Sequence, residues 1–213
     1  MDELDLLKKD WKKNENQFPK ISEKEIYSML HKKSSSIVKW IFIISVLEII
    51  LWSAISFFTT DDKSNKMLEI YHIKTILDVI MVINYGVIVF FIYLFYKNFR
   101  SIDATDNVKS LMKNILRTRK TVQYYIWYNL AIMAITFIIV LTGTIKYDNR
   151  FTQIAHQVSG SDKNLVFWIF LTGISLVFLV VFLVVFWLFY RLIYGFLLRR
   201  LHKNYEELKK IDL

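Results

Sequence analysis

One carboxylate interrupts an otherwise apolar stretch. Glu48 sits near the middle of residues 37–58, among Ile, Leu, Phe, Val, Trp and Ala. A charge at the centre of a bilayer costs about 2.5–3.5 kcal/mol on insertion scales, so such a group is expected to face other helices or a wet cavity. Counted inward along the next apolar stretch, Asn84 falls at a similar depth and Asp78 close to the outer boundary; Asn129 is the main buried polar side chain of the third stretch. These four are the candidate intramembrane polar site. Two kinds of chemistry fit Glu48: it carries a proton or cation, or it is a protonated side chain bonding across helices. The second is the plainer expectation. Transport pathways usually gather several polar groups on broken helices, whereas the chain's single Pro, Pro19, lies outside the apolar stretches.

Histidine chemistry is the next possibility. His31, His72, His156 and His202 could hold a non-haem iron if they converged. The order of apolar stretches separates them: His31 and His202 fall on one side, His72 and His156 on the other, about 30 Å away across the hydrocarbon core. They are expected at interfaces or in solvent. The chain has no Cys, and GxSxG, P-loop and GxGxxG patterns are missing. No catalytic, cofactor-binding or metal-binding set is expected, and Ser34, Ser35 and Ser36 are a polar run before the first apolar stretch.

Four apolar stretches must position whatever chemistry there is: residues 37–58, 76–96, 122–142 and 165–190. At ~1.5 Å per residue, each is long enough to cross a hydrocarbon core of ~30 Å. With 213 residues, 54% of them hydrophobic, the polar segments left over are too small for a separate globular enzyme domain. The fold class expected is all-α: an integral membrane four-helix bundle, residues 37–190, with cytosolic amphipathic helical extensions. Residues 1–36 form an amphipathic N-terminal segment. It lacks a cleavable leader pattern, and Ser22 and Glu25 fit a capping box ahead of Ile26, Met29 and Leu30. This segment is expected to lie on the membrane, dock a partner, or pack on the protein's own stalks. Residues 59–75 and 143–164 read as short outer connections. Residues 97–121 read as one long helix running into the third span, and residues 191–213 as a further helix with a Leu198, Leu201, Tyr205, Leu208 stripe. The fourth stretch, uniformly apolar, is expected to face lipid most. Leu94-Phe95-Tyr96-Lys97 and Leu188-Phe189-Tyr190-Arg191 resemble each other, as two hairpins related by an axis along the membrane normal would and as aromatic belts alone also would, the plainer expectation.

The net charge of +9 is distributed unevenly: of 28 Lys and Arg, 21 lie in segments 1–36, 97–121 and 191–213, and 6 in the two other connections. The positive-inside rule then places both termini in the cytoplasm. The basic balance serves orientation and contact with anionic lipid, and nucleic acid is not an expected partner. Trp11, Lys12, Lys13, Arg117, Arg119 and Lys120 are the candidate partner or lipid surface.

Residues 2–13 (Asp-Glu-Leu-Asp-Leu-Leu-Lys-Lys-Asp-Trp-Lys-Lys), 22–26 (Ser-Glu-Lys-Glu-Ile) and 31–40 (His-Lys-Lys-Ser-Ser-Ser-Ile-Val-Lys-Trp) carry a resemblance. Over them the chain resembles a family of uncharacterised bacterial multi-span membrane proteins. Members often carry an automatic beta-carotene monooxygenase label, and they look like neighbours of extracytoplasmic-function sigma factors. The resemblance implies a bacterial inner membrane, envelope signalling or carotenoid cleavage, and no site residues. The function expected from the residues themselves is non-enzymatic: a multi-pass accessory or signalling protein whose basic cytosolic face binds a protein partner. A small transporter or channel using Glu48 is the alternative, a carotenoid-cleaving oxygenase the third, and a homodimer is compatible with each.

Overall fold

The structure, a computed structural model, describes residues 22–59, 62–105, 107–148, 150, 153–154, 157 and 164–211. It contains helices α1 (Glu23–Thr59), α2 (Asp62–Ile70), α3 (Lys74–Asp103), α4 (Val108–Tyr147) and α5 (Asn164–Ile211), and no strand among the described residues. All but the short α2 are long and apolar enough to cross a membrane, which suggests a multi-pass membrane protein. The four long helices form a ring in which α1 and α4 each pack against both α3 and α5.

Each long helix runs past its apolar stretch, and the extensions pack on one another as a stalk. Residues 23–36 are the first turns of α1, with no break before residue 37. The capping box forms: the Ser22 N–H donates to Glu25 Oε2 at 2.9 Å and the Glu25 N–H to Ser22 Oγ at 3.3 Å. The predicted single helix over 97–121 is divided instead. Its first residues finish α3, whose C-cap is Ala104, and Asn107 caps α4 by accepting from the Lys109 N–H at 2.9 Å. The amphipathic stripe of the described N-terminal residues is used internally, since Leu30 is buried with Ile102, Leu111, Ile115, Leu201 and Leu208. The predicted leucine stripe of the tail does line this core, with Asn204 buried inside it.

Polar pairs fix the register of the stalk. Asn204 Nδ2 donates to Ser34 Oγ and Asn98 Nδ2 to Thr121 Oγ1, each at 3.1 Å. The end of α3, where carbonyls lack helical partners, is held by α1: the Tyr27 hydroxyl donates to the Thr105 carbonyl at 3.0 Å, and His31 Nε2 lies 2.7 Å from the Ile102 carbonyl.

Packing thins toward the other end. The most apolar windows of both α3 and α5 bury no residue within the protein. The outward exposure expected to be greatest for α5 is therefore matched by α3.

The connection over residues 59–75 is not simply an extended polar link, because it contains α2, and the chain after α2 docks onto the end of α4. His72 adopts a left-handed backbone (φ 54°), and its ring meets Tyr147 edge-on at 5.1 Å. The Tyr71 hydroxyl donates to Asp148 Oδ2 at 2.9 Å. The Arg150 backbone N–H, then its guanidinium and the Tyr71 hydroxyl, hold the Asp148 carboxyl below the usual carboxylate range. A carboxyl whose folded pKa is depressed contributes stability above its unfolded pKa of about 3.9, and that contribution disappears as pH falls through the folded value. Amide exchange over residues 71–74 is expected to hold constant, once corrected for intrinsic rates, from about pH 5 to 8 and to quicken below about pH 4. Asp148→Asn should remove that dependence.

Candidate functional site

Glu48 is the hub of a buried polar cluster that joins three of the long helices. It projects from α1 and accepts from the Tyr190 hydroxyl at 2.6 Å on Oε1, and from those of Tyr194 and Tyr125 at 2.9 and 3.1 Å on Oε2. Tyr190 and Tyr194 stand one turn apart on the same face of α5, as helical periodicity requires, and Tyr125 comes from α4. Glu48 is 9% exposed and the three tyrosines 2% or less. The tyrosine rings lie 6.1–6.4 Å apart, and from α3 Phe91 and Phe95 meet Tyr125 edge-on at 5.4 and 5.5 Å. All four long helices thus converge on one layer. The two oxygens of a carboxyl group offer about four lone-pair positions, and the three hydroxyls take three of them.

On the far side of this layer from the stalk lies a cavity of about 580 Å³. Its walls are apolar, built from residues such as Leu77, Met81, Ile132, Met133 and Val140, and Glu48, Asn84 and Asn129 are its principal polar lining groups. Asn84 Oδ1 accepts from the Tyr128 hydroxyl at 3.0 Å, and Asn129 Nδ2 donates to the Tyr125 carbonyl at 2.9 Å. Among the described residues, the Asn84 amide nitrogen and the Asn129 amide oxygen have no protein partner. Together with the hydroxyls of Ser53, Tyr85 and Thr136, these amide groups are what the lining offers to whatever fills the cavity.

Three of the four predicted intramembrane polar residues come together here. Asp78 does not: it is exposed and lies outside the cavity lining. Asn84 shares the cavity with Glu48 but is not its hydrogen-bond partner. Those partners are tyrosines, of which sequence reasoning assigned Tyr190 to an aromatic belt and gave Tyr125 and Tyr194 no role. A Tyr pair at i and i+4 spanning the end of an apolar stretch was the available signal. Of the predicted partner or lipid surface, Arg117 and Lys120 are exposed, while Arg119 is half-buried with its guanidinium 2.9 Å from His202 Nδ1. Trp11, Lys12 and Lys13 lie outside the described residues, as does the helix predicted around them.

Residues 24–213 match a family described as a domain of unknown function, DUF8845. The chain belongs to the DUF8845 family. The DUF8845 match takes in the whole stalk, the Glu48 layer and the cavity. No curated protein and no solved structure matches the chain.

The described histidines of this DUF8845 domain do not fit an iron centre. His31 is committed to the end of α3 and His202 to Arg119, both in the stalk, whereas His72 meets Tyr147 edge-on at the opposite end. Among the described residues, no group of three or more His, Asp or Glu could hold a metal. His156 lies outside them.

Proposed function

We propose that this is a non-enzymatic, multi-pass membrane protein of the accessory or signalling kind, and that it binds a neutral amphiphile in the cavity above Glu48. In this reading the stalk stands in the cytoplasm, where most of the Lys and Arg lie, and presents a basic surface to an acidic protein partner. The resemblance to bacterial multi-span proteins makes the inner membrane the expected location.

The observation that carries the reading is the cavity's division of labour. Its volume of about 580 Å³ lies within the range of about 300–1,000 Å³ usual for small-molecule sites, and apolar walls with a few convergent polar groups are their common form. The free amide donor of Asn84 and the free amide acceptor of Asn129 suit a head group that both donates and accepts, such as a hydroxyl or a carboxamide. A carboxylate head would meet Glu48 and be disfavoured.

Glu48 fits the role of a lock better than that of a carrier. A carboxylate that shuttles protons must exchange partners, and both oxygens of this one are held by three hydroxyls even though the residue borders the cavity.

Binding of a fluorescent long-chain alcohol to the protein in nanodiscs tests the reading. Asn129→Leu is expected to weaken binding about fivefold, the equivalent of one hydrogen bond. A fatty acid and an alkane of equal length should bind more weakly than the alcohol. Equal binding of all three would contradict the reading. A proton or cation flux into vesicles that Glu48→Gln abolishes would replace it with transport.

A further inference from the structure

A second concavity lies on the opposite side of the Glu48 layer, between α1 and α5, with a volume of about 460 Å³. Its lining alternates charge and hydrocarbon: Lys32, Lys33 and Arg200 with Met29, Ile37, Trp40 and Leu197, and the hydroxyl of Ser36. Among the described residues, no acidic one lines it. Arg200 is steadied by its own helix, with the guanidinium 4.2 Å from the centre of the Phe196 ring.

The register of the bundle sets the depth of this groove. Ser34 pairs with Asn204 in antiparallel helices, so five residues further along, Lys39 and Arg199 stand level. Asn98 pairs with Thr121 in antiparallel helices, which brings Lys97 and Lys120 to within about 3 Å of one height. Phe42 of α1 meets Tyr96 of α3 at 6.1 Å, joining the two heights. Lys39, Lys97, Lys120 and Arg199 therefore form a collar of one cation per long helix. At ~1.5 Å per residue, Lys39 lies about 13 Å along α1 from Glu48, close to the half-thickness of a hydrocarbon core of ~30 Å. The collar marks where hydrocarbon ends on the stalk side, with exposed Arg191 of α5 about two turns deeper and lying over the Trp187 ring at 5.0 Å. Trp40 stands at the collar, and Ser36, Lys33 and Lys32 follow over the next two turns, the height of lipid head groups.

We infer that this groove is a binding site for an anionic phospholipid, with the phosphate held by Lys32, Lys33 and Arg200 and an acyl chain laid along Ile37, Trp40 and Leu197. Basic pockets between membrane helices on the cytoplasmic side recognise anionic head groups in this way. The site rests on the spanning reading above but not on the cavity ligand, which differs in charge and lies in the other half of the bundle. It is distinct from the exposed Arg117 and Lys120.

The test is native mass spectrometry of the full chain, purified in detergent and supplied with phosphatidylglycerol or phosphatidylcholine of matched chains. Wild type should retain phosphatidylglycerol about fivefold or more over phosphatidylcholine. Lys32→Gln/Lys33→Gln/Arg200→Gln should lose that preference. Lys109→Gln/Lys113→Gln, which removes exposed charge elsewhere on the stalk, should keep it, and circular dichroism should show both variants folded. Equal loss in the two variants, or no preference in wild type, would overturn the site while leaving the spanning reading intact. Displacement of the lipid by inorganic phosphate alone would identify a free-anion site and overturn the lipid assignment. Failure of wild type to float with vesicles would remove both the site and the spanning reading.

Discussion

Glu48→Ala is expected to lower the stability of the folded bundle by roughly 2–5 kcal/mol, the sum of three interhelical hydrogen bonds at about 0.6–1.7 kcal/mol each. The physical reason is the asymmetry of a buried polar cluster. Tyr125, Tyr190 and Tyr194 would keep their hydroxyls in a site sealed by aromatic rings, with no acceptor in place of the carboxylate. Glu48→Gln should cost less, about 1–2 kcal/mol, because one amide oxygen still accepts and the amide nitrogen can donate to a tyrosine oxygen. Replacing all three tyrosines by Phe should make Glu48→Ala far less costly, since the hydroxyls that it orphans would be gone. SDS-titration unfolding measures each variant. An Ala variant as stable as wild type would mean that the layer contributes nothing to holding the four helices together.

Gly143→Leu should destabilise the opposite end by about 2–3 kcal/mol, the scale of overpacking a filled site. A β-carbon at position 143 would lie 2.6 Å from Ile73 Cγ2 and 3.1 Å from its Cδ1. Cγ2 sits on the β-branch of a buried side chain and cannot swing away as a flexible chain end does. Even Gly143→Ala, which gains about 0.8–1.0 kcal/mol of helix propensity, is expected to come out net destabilising. Ile73→Ala in the Gly143→Ala background should recover part of the loss, because the new methyl fills space that the isoleucine leaves. A double-mutant cycle read by unfolding and by protease resistance of residues 62–74 reports the coupling. Additive effects would show that the two positions are not in contact.

The sequence made the helices legible because four long apolar runs separated by polar, basic segments have few other solutions. The Ser22–Glu25 capping box was legible for the same local reason: both of its hydrogen bonds fall within four residues. The stalk was harder. Whether residues 22–36 lie on a membrane or join the bundle depends on what the stripe of Ile26 and Leu30 meets, and that partner comes from α3, α4 and α5. The break between α3 and α4 was hidden by a helical pattern that continues on both sides of it. Among the site residues, Glu48, Asn84 and Asn129 stood out because polar groups are rare in apolar runs. The tyrosines did not, because a ring that faces a membrane interface and a ring that turns inward to a carboxylate have the same composition. Only the helix register distinguishes them, and it places Tyr190 and Tyr194 opposite Glu48 instead of at the boundary where counting had put Tyr190.

The central claim is that the cavity beyond Glu48 is a binding site for a neutral amphiphile. Photolabelling in nanodiscs with a long-chain alcohol carrying a diazirine in its chain, followed by peptide mapping, tests it most directly. Adducts on Met81, Ile132 or Met133, reduced in Asn84→Leu and Asn129→Leu and competed by unlabelled alcohol, are the predicted result. Adducts confined to outward residues of α5 such as Val177 and Val181, unaffected by either substitution, would contradict it.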